Sequence, residues 1–140
     1  MNIAFSHRIE VRFRDCDPMG HVNNAVYLTY LEQARFAHWR ALWGFTLEAL
    51  PAGAPGVILA RAEVDYRKPA RYGDLLEVRI GIVGIGRTSF IYDYEVADAT
   101  GAVVATAKTV LVMYDYRESR PVPVPDEIRA RLGFPPREQS

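Results

Sequence analysis

Residues 24–43 contain neither glycine nor proline, and almost everything after residue 56 reads as strand. Within that stretch Tyr27, Leu31, Ala34 and His38 recur at the spacing of one helix face, with Thr29, Gln33, Phe36 and Arg40 on the other side. At about 1.5 Å per residue such a helix spans about 29 Å, the width of a small domain. Val26, Leu28, Ala37, Trp39 and Leu42 broaden the apolar stripe, so the helix is expected to be covered on more than one side.

The flanking segments alternate instead. Residues 7–14 place Ile9, Val11 and Phe13 on one face of a first strand. Residues 57–66 set Ala60, Ala62, Val64 and Tyr66 against Arg61, Glu63 and Asp65. Leu76, Val78, Ile80 and Ile82 form a third set, and Phe90, Tyr92, Tyr94 and Val96 a fourth. Gly84-Ile85-Gly86 marks a hairpin, and 98–101 turns into a strand near 102–116 whose two apolar faces predict a central position. Gly44 is expected to end the helix, 50–56 to be a loop, 126–132 a short helix, and 133–140 a loose tail. The connections are too short for parallel crossovers, so the class is α+β, an antiparallel sheet packed on one helix. With 140 residues and no internal repeat, 1–140 reads as one domain.

Composition narrows the partners. Seventeen basic and 17 acidic residues leave no net charge to gather nucleic acid or an anionic membrane. No apolar run approaches the roughly 18 residues of a membrane span. The lone Cys16 forms no internal bridge, and the N-terminus lacks a basic segment followed by an apolar one, so the expected location is cytoplasmic. His7, His21 and His38 show no metal-ligand spacing, and Gly84-Ile85-Gly86 lacks the third glycine and following helix of a dinucleotide site, so neither metal nor cofactor is expected.

Chemistry concentrates in Asp15-Cys16-Asp17-Pro18-Met19-Gly20-His21-Val22-Asn23-Asn24, just before the long helix. A helix N-terminus offers N–H groups without intrahelical partners and a partial positive charge, which suits a carboxylate and an oxygen on which charge develops. The same residues also suit a purely structural role, with Asn23 or Asn24 capping the helix while Asp15, Asp17 and His21 brace a turn. Pattern alone leaves both open. Strand alternation turns Cys16 away from both carboxylates, so it reads as packing. A glycosidase pair of Asp15 and Asp17 is disfavoured because so short a chain has no aromatic sugar groove.

Residues 11–35, the segment 66–74 and the tail 121–132 resemble the 4-hydroxybenzoyl-CoA thioesterase-like family of hotdog-fold proteins, over essentially the whole chain. The resemblance implies a five-stranded antiparallel sheet wrapped around one long central helix. It implies an acyl-CoA thioesterase that hydrolyses a fatty or aryl acyl-CoA to free acid and coenzyme A. It further implies a homodimer or homotetramer, with a sheet continuous across each dimer and active sites at the subunit interface. Asp17, the second carboxylate of the Asp-x-Asp pair, becomes the catalytic acid, and the amide at Asn24 the group that polarises the thioester carbonyl. Direct attack by Asp17 and general-base activation of water both need the ionised carboxylate, and the choice stays open. His21-Val22-Asn23-Asn24 resembles the long-chain branch, which makes His21 and Asn23 further catalytic candidates beside their turn-forming alternative.

Tyr27 is expected near the acyl group, and Arg67, Lys68, Arg87, Thr88 and Ser89 near the phosphates of coenzyme A. Glu32 and Arg35, three apart on the helix, are expected to form an ion pair. Two alternatives remain. One is an acyl-CoA sensor or subunit without turnover; the other is an enoyl-CoA hydratase, whose usual carboxylate–histidine motif is missing here.

Overall fold

The computed structural model of the chain describes residues 2–43 and 56–136. The expected helix stop at Gly44, most of the loop at 50–56, and residues 137–140 lie outside the described residues. β1 (Phe5–Glu10) leads through a short 3-10 turn at Phe13–Asp15 to α1 (Val26–Trp43). β2 (Gly56–Tyr66), β3 (Leu75–Ile85), β4 (Ser89–Ala97) and β5 (Val103–Asp115) follow, then the two-residue β6 (Arg120–Pro121) and α2 (Asp126–Arg131). The strand order is β1-β3-β4-β5-β2 with every pairing antiparallel, and β6 adds a short rung on β5. This is the hotdog arrangement of a sheet around one helix. β5 runs between β4 and β2, an interior position next to the outer strand, while the middle place expected for it falls to β4.

The helix stripe packs as its spacing predicts: Tyr27, Leu31, Ala34 and His38 are buried, and Thr29, Gln33, Phe36 and Arg40 are exposed. Against the stripe lie Leu76, Val78, Ile80, Phe90, Tyr92, Tyr94 and Val96, every second residue of β3 and β4. His38 stacks on Phe5 with ring centroids 5.2 Å apart, and its Nδ1 lies 3.3 Å from the Tyr92 hydroxyl. Burial holds this imidazole below its ordinary pKa, which suits a neutral core histidine.

Four further expectations are corrected. Phe13 does not extend the first strand: the Arg12 N–H donates to Asp15 Oδ2 at 3.0 Å, the chain winds into the 3-10 turn, and Phe13 stands 78% exposed against Tyr72. The helix opens at Val26 rather than residue 24, because Asn23 and Asn24 belong to the turn before it. The 57–66 strand does not bury one clean face: its register shifts between Leu59 and Arg61, and Ala60, Ala62 and Tyr66 are exposed on an outer strand. Glu32 and Arg35 do not pair. Arg35 faces the sheet, buried, and donates to the Tyr94 hydroxyl at 3.1 Å, while Glu32 stays exposed. Positions three apart are offset by about 60° around a helix, and here that offset spans the boundary between the sheet-facing side and the solvent-facing one.

The start of the tail is tied down. The Phe134 N–H donates to the Arg129 carbonyl at 2.8 Å, and the Arg129 guanidinium donates to the carbonyls of Pro135 at 3.2 Å and Gly86 at 3.0 Å.

Candidate active site

Residues 15–23 fold as a narrow antiparallel ribbon. Cys16 pairs with Val22, the Asp17 N–H donates to the His21 carbonyl at 2.9 Å, and the Asn23 N–H donates to the Asp15 carbonyl at 2.9 Å. The reversal at 17–20 closes with the Gly20 N–H on the Asp17 carbonyl at 2.9 Å. Gly20 takes φ +83°, a left-handed conformation in which a side chain would be strained. The ribbon is stitched to the chain beyond β2: Val22 N–H donates to the Ala70 carbonyl at 2.8 Å, and His21 bridges Arg71.

The two carboxylates differ sharply. Asp15 is 2% exposed and accepts from the Arg12 N–H at 3.0 Å, from the Arg12 guanidinium at 2.8 Å, and from the Tyr30 hydroxyl at 2.7 Å. Burial pushes its carboxyl pKa up, but the hydrogen bonds from Arg12 and Tyr30 outweigh that and hold it below the ordinary range. Tyr30 moves the other way, well above an ordinary phenol, through burial and then through donating to that carboxylate. Asp17 is only half-buried, and Oδ1 accepts the Met19 N–H at 3.0 Å. Its Oδ2 has no donor among the described residues.

Asn23 has a local job: its Oδ1 accepts the Ala25 N–H at 2.9 Å, and its carbonyl accepts the Val26 N–H at 3.0 Å. It caps the helix entry. Asn23→Ala is expected to lower stability by about 1 kcal/mol, read as the shift of a urea unfolding midpoint at constant slope. Asn24 is exposed; its carbonyl accepts the Tyr66 hydroxyl at 2.8 Å, and its N–H has no acceptor among the described residues.

The remaining candidates are spread out. The structure buries Tyr27 edge-on against Tyr30 and Tyr66, with centroids 6.0 and 5.3 Å away, and does not present it on an open surface. Arg67 and Lys68 lie at the same end of the sheet as the ribbon, both N–H groups donating to the Val104 carbonyl at 2.9 and 3.1 Å. Lys68 also meets Asp98 at 2.8 Å. Hydrogen bonds from Lys68 first, and then from Thr100, hold the Asp98 carboxyl well below the ordinary range. Arg87, Thr88 and Ser89 form the β3–β4 turn at the opposite end, the whole length of β3 away. One chain therefore does not bring the two sets together. Sequence reasoning missed Tyr30 and Tyr66, whose hydroxyls act across the fold and leave no local signal. The described residues hold no cluster of three or more His, Cys, Asp or Glu side chains placed to share a metal, and no helix among them is long and apolar enough to cross a membrane.

The sheet wrapped on one long helix thus carries, at the helix entry, a ribbon that bears two carboxylates. The Thioesterase-like superfamily model matches residues 11–132, and the chain belongs to that family. It is 31% identical over 121 residues to the 1,4-dihydroxy-2-naphthoyl-CoA hydrolase of Synechococcus elongatus, covering 85% of this chain and 88% of that one. It is 28% identical over 128 residues to the acyl-CoA thioester hydrolase YbgC of Escherichia coli, covering 91% and 95%. Among solved structures, the thioesterase from Thermus thermophilus complexed with coenzyme A and Zn superposes with a TM-score of 0.81 at 38% identity, covering 94% and 99%. The class of protein is thus an enzyme, a thioesterase.

Proposed function

We propose that the protein hydrolyses an acyl-CoA thioester to the free acid and coenzyme A, with Asp17 supplying the carboxylate and the Asn24 N–H receiving the oxyanion. The observation that carries this reading is the division of labour between the carboxylates. Asp15 is saturated and buried, whereas Asp17 is half-buried with an oxygen free to meet water or a carbonyl carbon. The Asn24 N–H is open, and the carbonyl of its own peptide is held by Val26, so its direction is set before substrate arrives. Such a donor is typically worth about 2.7–4 kcal/mol in the barrier. Thiolate is a good leaving group, so a nucleophile and an oxyanion donor suffice.

The reading includes a dimer joined along β2. Among the described residues that strand is paired only with β5; it is 11 residues long and carries exposed Leu59 and Tyr66, and beside it α1 exposes Leu28 and Phe36. A long unprotected edge next to apolar side chains is a surface that a second copy covers. Two-fold pairing of β2 runs the strands antiparallel and brings opposite sheet ends to one side. Arg67 and Lys68 then share that side with the 86–89 turn of the second copy, uniting the two sets proposed for coenzyme A. A cavity of ≈ 120 Å³ between α1 and the sheet, lined by Phe36, Trp39, Val57, Leu59 and Leu111 with Glu32 and Arg35, opens at the same edge and suits a short acyl group.

The test is release of free thiol from purified protein mixed with aliphatic and aromatic acyl-CoA thioesters, read with a thiol reagent. Release from at least one ester is expected; none from any chain length, together with tight acyl-CoA binding, would replace the reading with a binding protein.

A further inference from the structure

The Asn24 N–H sits on a turn clamped from two directions by phenols distant in sequence. On one side Tyr30, reaching up from the buried face of α1, donates to Asp15 at 2.7 Å, and the Asp15 carbonyl accepts the Asn23 N–H at 2.9 Å. On the other, Tyr66 at the end of β2 donates to the Asn24 carbonyl at 2.8 Å. Between them lie two peptide units held by local partners: the Asn23 carbonyl accepts the Val26 N–H at 3.0 Å, and the Ala25 N–H donates to Asn23 Oδ1 at 2.9 Å. Among the described residues, the Asn24 N–H is left without a partner while the Asn23 and Asn24 carbonyls and the Asn23 and Ala25 N–H groups are engaged.

We infer that Tyr30 and Tyr66 are positioning residues, whose hydroxyls fix the helix-entry turn so that the Asn24 N–H is aimed before the substrate binds. This rests on the thioesterase reading above. Neither phenol touches the reacting atoms in this account. Each acts by holding a peptide plane, and a misplacement of about 1 Å in a catalytic group can cost about 100-fold in rate. Tyr30 also carries a second consequence: its ring lies in the core, so the turn is referenced to the helix body and not only to the surface loop. Tyr66 references it to the edge strand.

Tyr30→Phe and Tyr66→Phe remove one oxygen each and keep the rings that pack on Tyr27. Each is expected to lower kcat about 10-fold to 100-fold with KM within about twofold, because the donor is used in the transition state more than in binding. Thr109→Val is the control for lost core polarity: its buried hydroxyl meets the Tyr94 hydroxyl at 2.7 Å, remote from the turn, the Arg35–Tyr94 hydrogen bond at 3.1 Å is kept, and its kcat is expected to match wild type. Thermal midpoints of all three are measured alongside. Tyr66 is half-exposed, so its variant folds even if Tyr30→Phe does not. Wild-type kcat in both turn variants, a change confined to KM, or an equal loss in Thr109→Val would overturn the inference. Thiol release absent from the wild type itself would instead overturn the thioesterase reading on which it rests.

Discussion

Asp17→Asn is expected to lower kcat roughly a thousandfold, within the range that a positioned acid–base or nucleophilic group contributes. KM for an acyl-CoA ester is expected to stay within about twofold, since the carboxylate acts at the reacting carbon and not on the nucleotide. The substitution isolates the chemistry. Asparagine keeps an oxygen that accepts the Met19 N–H, so the reversal at 17–20 that closes on Gly20 is retained. The side chain is half-buried at a loop tip and takes no part in the core, so the thermal midpoint is expected to move little. Steady-state rates with the best ester of the panel, beside a melting curve, are the measurement. A variant retaining more than a tenth of wild-type kcat would remove Asp17 from the mechanism.

The second large effect belongs to the other carboxylate and is one of stability. Asp15→Ala is expected to destabilise the fold by about 3 kcal/mol, because it strands the Tyr30 hydroxyl in the core and removes the acceptor that winds residues 12–15. The low end of the range for broken buried pairs applies, since the Arg12 side chain remains 58% exposed and is solvated once released. The pH dependence follows from the direction of the shift. Asp15 has a folded-state pKa below its unfolded one, so the folded state binds fewer protons and the group adds stability above the unfolded value of about 3.9. That contribution is lost as the pH falls from there through the lowered folded value. The stability gap between wild type and Asp15→Ala is therefore expected to be constant near neutrality and to shrink below about pH 4. Urea unfolding at a series of pH values checks this; a gap that widens on acidification would contradict the assignment.

Much of this molecule is legible without coordinates. The stripe of Tyr27, Leu31, Ala34 and His38 needs only a period near 3.6, and the sets on β3 and β4 only a period of two, so each buried face could be named in advance. The density of carboxylates and amides ahead of the helix likewise marked the candidate site. Periodicity fails where a side chain departs from the local repeat to meet a distant partner. Asp15 breaks the first strand by capturing the Arg12 N–H, and Arg35 leaves an apparent i,i+3 pair for the Tyr94 hydroxyl on β4.

The sequence by itself therefore determined the element order, the interior place of β5, the apolar face of the helix and the stretch in which the candidate catalytic groups are concentrated, because these depend on local spacing and on the burial of apolar surface. Only the tertiary structure decided which carboxylate is spent and which is free, that Asn23 caps while the Asn24 N–H stays open, and that Tyr30 and Tyr66 hold the turn between them. Those outcomes depend on hydrogen bonds between groups as far apart in the chain as Tyr66 and Asn24, and such bonds leave no trace in any window of neighbouring residues.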